Sequence, residues 1–307
     1  MGNVLSIILP IVLLLCLGYF CRKRSILNQD GIDGIKTVSI RFLWPIVLFY
    51  AFFTAEYGIA TILYAGVNFA TNLIAFLIGM LIRRKAKQHA FSYPYLLSGF
   101  ETGMIGYAMF TLLFGAENIS YLALLDVGHA LFIFPIFLSC LNMEQNQSDL
   151  KSSIKDMFKS PIMIALIIGM IAGLTGFGQF VMNSQAGIVI NKVYDLVSSA
   201  NIVMILVVMG FNISFSFKAL RGIAKVVLIR IVIMVLCAIG SLYLIRCFVP
   251  LNIYLTCAVI VTYMMPPVYM LAVYVKDPKE NEFMSTTTSV FTLITILAFL
   301  VMTVVVS

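Results

Sequence analysis

Hydrophobic runs dominate this chain, and short clusters of polar and charged residues punctuate them. Ten runs stand out, at 4–20, 35–53, 58–82, 91–114, 121–141, 161–176, 190–217, 224–249, 253–275 and 283–306. A hydrocarbon slab about 30 Å thick takes about 20 apolar residues of helix. The pattern therefore predicts an all-α integral membrane protein of ten transmembrane helices, here segments one to ten. The first run has no basic stretch before it and carries Arg22, Lys23 and Arg24 after it. That order predicts a retained helix in place of a cleaved leader.

Composition agrees. Hydrophobic residues make up 62% of the 307 positions and charged residues 11%, with a mean hydropathy of +1.05. Soluble domains run at about 45–50% apolar and about 25% charged. The six cysteines (Cys16, Cys21, Cys140, Cys237, Cys247 and Cys257) lie in or at the ends of apolar runs without CxxC pairing, and read as small core residues. A net charge of +7 raises nucleic acid as a partner, but the positions of the basic residues point to topology instead.

Those basic residues cluster between alternate segments. Arg22, Lys23 and Arg24 follow segment one; Arg83, Arg84, Lys85 and Lys87 follow segment three; Lys151, Lys155 and Lys159 follow segment five. Lys218, Arg221 and Lys225 follow segment seven, and Lys276 and Lys279 follow segment nine, against only Lys192 and Arg246 on the opposite side. Basic residues near helix ends stay cytoplasmic, which predicts both termini outside. Lys36, Arg41 and Arg230 fall within helices near their cytoplasmic starts; Arg41 and Arg230 sit about two turns inside, where a long side chain is expected to snorkel to the headgroups, with attraction of an anion as the alternative. Splitting the chain at the polar stretch 142–160 leaves two halves of five spans with opposite orientation, an inverted repeat of the kind transporters use.

In that architecture the matching helices of each half are interrupted near mid-membrane. Segment four holds Gly99, Gly103 and Gly106 at its middle, and segment nine holds Met265, Pro266 and Pro267. Glycine tolerates unwound backbone and proline removes an amide donor. A break in each helix at matching positions predicts a pocket, because freed backbone groups cannot face lipid.

The run FETGMIGYAMFTLLFGAENISYLALLDVGHALFIF in segments four and five resembles the auxin efflux carrier family, which includes the plant PIN carriers and compact prokaryotic relatives. ILPIVLLLCLGYFCRKRSIL with FLWPIVLF resembles that family's opening helix pair, and MMPPVYMLAVYVKDP its second break. The family's Asn-x-Gly falls on Glu101-Thr102-Gly103 and its Gly-x-Pro on Gly106-Tyr107-Ala108, so Glu101 and Ala108 depart from the pattern. The resemblance implies crossing broken helices four and nine. It also implies a scaffold of helices 1, 2, 6 and 7 (residues 1–56 and 161–217) and a transport subdomain of helices 3–5 and 8–10 (57–141 and 218–307), joined by a cytoplasmic loop at 142–160. It further implies an elevator-type carrier in the cell membrane, homodimeric through the scaffold.

Glu101 is the leading candidate in the site. A carboxylate near mid-membrane costs roughly 2.5–3.5 kcal/mol on insertion scales and normally faces the bundle interior. Three roles are open to it: carrying a proton, capping a broken half-helix, or pairing with a cationic substrate. Asp126 and His129 share one helical face three residues apart and can relay protons or hold the break. Ser285, Thr286, Thr287, Thr288 and Ser289 offer hydroxyls to a substrate or Na⁺, or else bond their own helix. Tyr107 and Tyr263 flank the breaks and offer a ring face and a hydroxyl, or simple packing. Asn68, Asn72, Asn201 and Asn212 read as helix–helix contacts, and the Gly169/Gly173 spacing as close packing.

Other chemistry has little footing. No GxxxxGK[ST] run marks an ATP site, and His89 and His129 form no zinc-binding spacing. No cofactor or metal is expected, nor an enzyme. Half-helix N-termini favour an anionic group. The sequence thus predicts a proton-linked secondary carrier of a small organic, carboxylated solute in the lipid bilayer. A sodium-linked symporter resembling the bile acid carriers and a solute-sensing receptor are the alternatives.

Overall fold

The computed structural model describes residues 2–55, 57–145, 159, 161–212, 220–269, 271, 275 and 277–306. Every regular element among them is helical. Helix α1 is Gly2–Lys23. Helix α2 (Gln29–Val38) passes through a π turn at Ser39–Leu43 into α3 (Trp44–Thr54). Helix α4 is Ile59–Arg83, followed by α5 (Ser92–Leu97), a π turn at Thr102–Gly106 and α6 (Tyr107–Phe114). Helix α7 (Ile119–Phe132) continues through a π turn at Ile133–Leu138 into α8 (Ser139–Glu144). The remainder are α9 (Pro161–Leu174), α10 (Phe177–Met182), α11 (Gln185–Asn212), α12 (Leu220–Phe248), α13 (Ile253–Met264) and α14 (Pro278–Val306).

Six helices among the described residues are long and apolar enough to cross a membrane: Gln29–Thr54, Ile59–Arg83, Ile119–Glu144, Gln185–Phe211, Gly222–Phe248 and Pro278–Val306. Their outward faces are apolar, with Leu196 at 75% exposure and Val305 at 78%. Such faces suit hydrocarbon, since soluble proteins rarely expose contiguous apolar patches of this extent. Segments four and nine are not continuous. Segment four is divided into α5 and α6, and α13 ends at Met264, well short of the predicted 275. Most of the predicted 142–160 loop lies outside the described residues, as do Lys151, Lys155, Lys218 and Lys276.

Several helices begin earlier than their hydrophobic runs, and polar caps explain why. Asn28 Oδ1 accepts the Gly31 N–H at 2.8 Å, starting α2 at Gln29. Asp277 Oδ1 accepts the N–H groups of Lys279 and Glu280, both at 2.9 Å, starting α14 at Pro278. Capping side chains satisfy the orphan donors of a first turn, and a first turn built that way is polar. The π turns in the second and fifth segments hold or adjoin Pro135 and Pro45. Each lacks an amide donor, which favours a local shift to wider hydrogen bonding.

Small residues set the closest helix contacts. The Val207 carbonyl oxygen lies 2.1 Å from where a Cβ on Gly18 would stand, and the Leu15 carbonyl 2.0 Å from the same point on Gly210, so α1 and α11 touch backbone to backbone. Gly169 and Gly173 of α9 meet the Phe49 and Phe52 carbonyls of α3 in the same way, in keeping with their predicted packing role. Gly128 of α7 meets Ala65 of α4. With no hydrophobic force between helices in lipid, such close approach is a principal source of association.

Candidate functional site

Helix α5 ends because Ser98 turns extended (φ −124°, ψ 171°) and Gly99 adopts φ +68°, a left-handed value that a side chain resists. Ser98 Oγ donates back to the Pro94 carbonyl at 2.7 Å. The chain then crosses Phe100 and Glu101 before helical bonding resumes at Thr102. In the second half, α13 ends where Met265 turns extended (φ −66°, ψ 148°) ahead of Pro266 and Pro267. Leu271 N–H reaches the Val268 carbonyl at 3.3 Å.

Buried backbone groups freed by such interruptions need partners, and each amide of the first break has one. Gly99 N–H donates to Asn72 Oδ1 at 3.1 Å, Phe100 N–H to His129 Nε2 at 3.0 Å, and Glu101 N–H to the Pro266 carbonyl at 2.9 Å. Glu101 is 4% exposed, and its Oε2 accepts the Tyr269 N–H at 2.7 Å. The two interruptions therefore touch through both the backbone and the side chain of Glu101.

The freed carbonyls converge on one cation. Arg230 of α12 donates Nη1–H to the Leu96 carbonyl at 2.7 Å and the Ser98 carbonyl at 3.4 Å, and Nη2–H to the Gly99 carbonyl at 2.8 Å and the Met265 carbonyl at 3.1 Å. Its guanidinium also lies 5.8 Å from the Phe100 ring centre and 5.3 Å from that of Phe291. The expectation that Arg230 snorkels to the headgroups is wrong: the residue is 0% exposed. The physical reason is the supply of unsatisfied carbonyls at two helix C-termini, which bind a guanidinium more directly than distant headgroups can. Arg41, by contrast, is exposed.

Asp126 and His129 sit on the shared face that their spacing predicts. His129 Nδ1 lies 3.0 Å from Asp126 Oδ1, and Tyr107 Oη donates to Asp126 Oδ2 at 3.2 Å. Because the Phe100 amide can only donate, His129 Nε2 is an acceptor, and a neutral ring carries its proton on Nδ1, facing Asp126. The chain Tyr107–Asp126–His129–Phe100 thus runs from α6 and α7 into the first break.

Tyr263 stands edge-on to Phe100 with ring centres 5.3 Å apart, while its hydroxyl meets Thr71 Oγ1 at 2.7 Å and Ser241 Oγ at 2.6 Å. Those bonds tie α4, α12 and α13 together. The hydroxyls of Ser285 and Thr287 are engaged inside α14, with Asn281 Oδ1 at 3.1 Å and the Phe283 carbonyl at 2.7 Å. The Thr288 carbonyl accepts from Thr292 Oγ1 at 2.9 Å. It is further along α14 that hydroxyls reach the break, where Thr292 meets Tyr269 Oη at 2.8 Å and Thr295 donates to the Met264 carbonyl at 2.6 Å.

Gly103 is packed under Trp44, whose ring atoms come within 1.6 Å of where a Cβ would stand; Gly106 continues the helix with φ −59° and Thr102 and Met265 beside it. Three polar atoms of this junction, Trp44 Nε1, Thr102 Oγ1 and Arg230 Nε, are buried without a partner among the described residues. A cavity of about 250 Å³, almost wholly apolar, opens beside the second break against Arg230, Met234, Tyr263, Met265 and Phe291. Sequence reasoning missed Arg230, Trp44, Tyr269, Thr292 and Thr295 as parts of this junction, and read Asn72 as a contact between helices. A charge inside an apolar run was the one available signal.

A sequence profile described as membrane transport protein matches residues 3–306, nearly the whole chain. No curated protein matches it.

Proposed function

This chain belongs to the membrane transport protein family, that of the auxin efflux carriers and PIN-like proteins, and from that premise we infer a secondary active carrier of a small organic, carboxylated anion, moved by an elevator-type mechanism and linked to protons. The family is one of transporters and not of enzymes, and the protein is a multi-pass membrane protein. The observation that carries the finer reading is Glu101, a carboxylate 4% exposed between two interrupted helices and bonded to the Tyr269 amide across them.

The mechanism follows from what Glu101 occupies. Backbone amides freed at an interruption attract negative charge, and an ionised Glu101 already takes one of them, that of Tyr269. An anionic solute competes for the same donors. Protonation of Glu101 removes the competing charge, so that proton and anion load together and leave together. Thr102 Oγ1 and Trp44 Nε1, buried beside this point without partners among the described residues, supply further groups for the solute, since buried polar atoms normally find one. Gly103, Gly106, Tyr107, Met265, Pro266 and Pro267 shape the pocket, and Asp126 with His129 holds the first break in place through the Phe100 amide.

The wider architecture is part of the same proposal. Ten spans form two inverted repeats of five, with helices four and nine crossing and both termini outside the cell or inner membrane. Residues 1–56 and 161–217 form a scaffold that pairs two copies, and 57–141 with 218–307 form the moving subdomain. The α1–α11 and α3–α9 backbone contacts support that division, because they lie within the scaffold. Uptake of a panel of organic acids into proteoliposomes, with and without an imposed pH gradient, tests the function. Gradient-driven accumulation of at least one acid supports it; binding without flux of any would replace the carrier with a receptor.

A further inference from the structure

The guanidinium of Arg230 lies where two helix C-termini face one another. The carbonyls of Leu96, Ser98 and Gly99 come from the end of α5, and that of Met265 from the end of α13, all within 2.7–3.4 Å of its nitrogens. Each helix C-terminus carries a partial negative charge, so two brought together repel one another unless a cation sits between them. In transporters with discontinuous helices, unwound carbonyls and half-helix C-termini are the groups that hold a coupling Na⁺. A set of four carbonyl oxygens from both breaks is a donor set of that type.

Here the position is filled from within. Arg230 is fully buried, has two aromatic rings beside its charge, and meets no carboxylate among the described residues, where Arg83 pairs with Glu144 and the two histidines approach Glu280 and Asp126. A buried charge persists only when it is compensated, and here backbone carbonyls do that at both Nη groups, with Nε alone left without a partner among the described residues. An arginine also keeps its proton at neutral pH, so the compensation does not lapse.

We propose that Arg230 is a tethered cation standing in for a dissociable coupling ion, holding the two interrupted helices together and leaving no Na⁺ site between them. The consequence is a junction indifferent to Na⁺, and one that accepts a small monovalent cation, best a planar guanidinium, once the side chain is removed. This deepens the carrier reading by fixing what the junction does with cations. Because the test reads thermal stability and not uptake, it can fail while the carrier reading stands, and the reverse.

Purified full-length wild type, Arg230→Ala, Arg230→Lys and Arg230→Gln are compared by thermal unfolding in detergent at constant ionic strength, in choline, potassium or sodium chloride, with guanidinium chloride added at low millimolar concentration. Wild type is expected to unfold at the same temperature in all three salts and to gain nothing from guanidinium. Arg230→Ala is expected to unfold lower, and to recover by a few degrees in a saturable way with guanidinium. Should Arg230→Ala not accumulate in folded form, the other pair decides: Arg230→Lys, which keeps the charge, is expected to be recovered folded at severalfold higher yield than Arg230→Gln. Selective, saturable stabilisation of wild type by Na⁺ would overturn the proposal. So would an Arg230→Ala protein as stable as wild type, one that guanidinium leaves unchanged, or equal loss of the Lys and Gln variants.

Discussion

Glu101 Oε2 accepts the backbone N–H of Tyr269 at 2.7 Å while the Glu101 N–H donates to Pro266 at 2.9 Å, so a single residue binds the second break from both its backbone and its side chain. The two roles separate under mutation. Glu101→Gln keeps an acceptor for the Tyr269 amide and removes the titrating group. It is expected to fold with nearly wild-type stability, to retain solute binding, and to lose the response of uptake to a pH gradient. Undiminished proton dependence in Glu101→Gln would remove Glu101 from coupling. Glu101→Ala, which strands a buried amide, is expected to cost about 1–3 kcal/mol of stability as well, visible as a lower Tm than that of Glu101→Gln.

Gly103 owes its identity to Trp44. An added methyl would stand 1.6 Å from a ring carbon, and overpacking of this kind costs about 1–3 kcal/mol. Gly103→Ala is expected to lower Tm and uptake, and Trp44→Leu is expected to restore much of the Tm when combined with it, but not the uptake, since the indole N–H is one of the groups offered to the solute. The indole N–H has no partner among the described residues, so removing the ring loses no hydrogen bond. The measure is the coupling energy of the double-mutant cycle; strictly additive effects would show that the clash is relieved elsewhere.

The sequence carried the breaks because glycine and proline act locally. Gly99 and Pro266–Pro267 interrupt helices for reasons that need no neighbours, and the three-residue spacing of Asp126 and His129 fixes their common face. Arg230 was misread for a reason equally physical. Counted from the predicted start at 224 it lies six residues in, about 9 Å along the axis and within snorkelling reach. Helix α12 reaches back to Leu220, yet distance to the headgroups did not decide the outcome; partners did. Apolar runs cannot mark helix starts that are polar, and the partners of Arg230 come from residues 96–99 and 265, distant in sequence and fixed only by the fold. The same holds for Tyr269, Thr292 and Thr295.

Polar residues that serve the break are distinguishable from those that serve their own helix. Asn72 accepts the Gly99 amide, whereas Ser285 and Thr287 bond within α14. Asn72→Ala strands a buried donor and is expected to cost about 1–3 kcal/mol. Ser285→Ala and Thr287→Val remove only bonds local to one helix and are expected to stay within about 0.5 kcal/mol of wild type. Thermal unfolding in detergent ranks the three; a Thr287→Val protein as damaged as Asn72→Ala would move the hydroxyl tract into the site.

The hydrogen bond from Phe100 N–H to His129 Nε2 makes a prediction about a proton and not about stability. An imidazolium has no acceptor nitrogen and cannot receive that bond, and the Nε2–H tautomer would turn a donor against a donor. His129 is therefore expected to be neutral, with its proton on Nδ1 toward Asp126 Oδ1. Protein labelled with ¹⁵N at histidine contains two such rings, and His89→Gln leaves the signal of His129 alone. One protonated and one unprotonated ring nitrogen is the expected spectrum at neutral pH, with the unprotonated shift assigned to Nε2. Asp126→Asn still offers a carbonyl to Nδ1–H and is expected to keep the tautomer, whereas Asp126→Ala removes that acceptor and is expected to loosen it. Two protonated nitrogens, or a proton on Nε2, would break the link between His129 and the first interruption and leave Asp126 without a part in holding it.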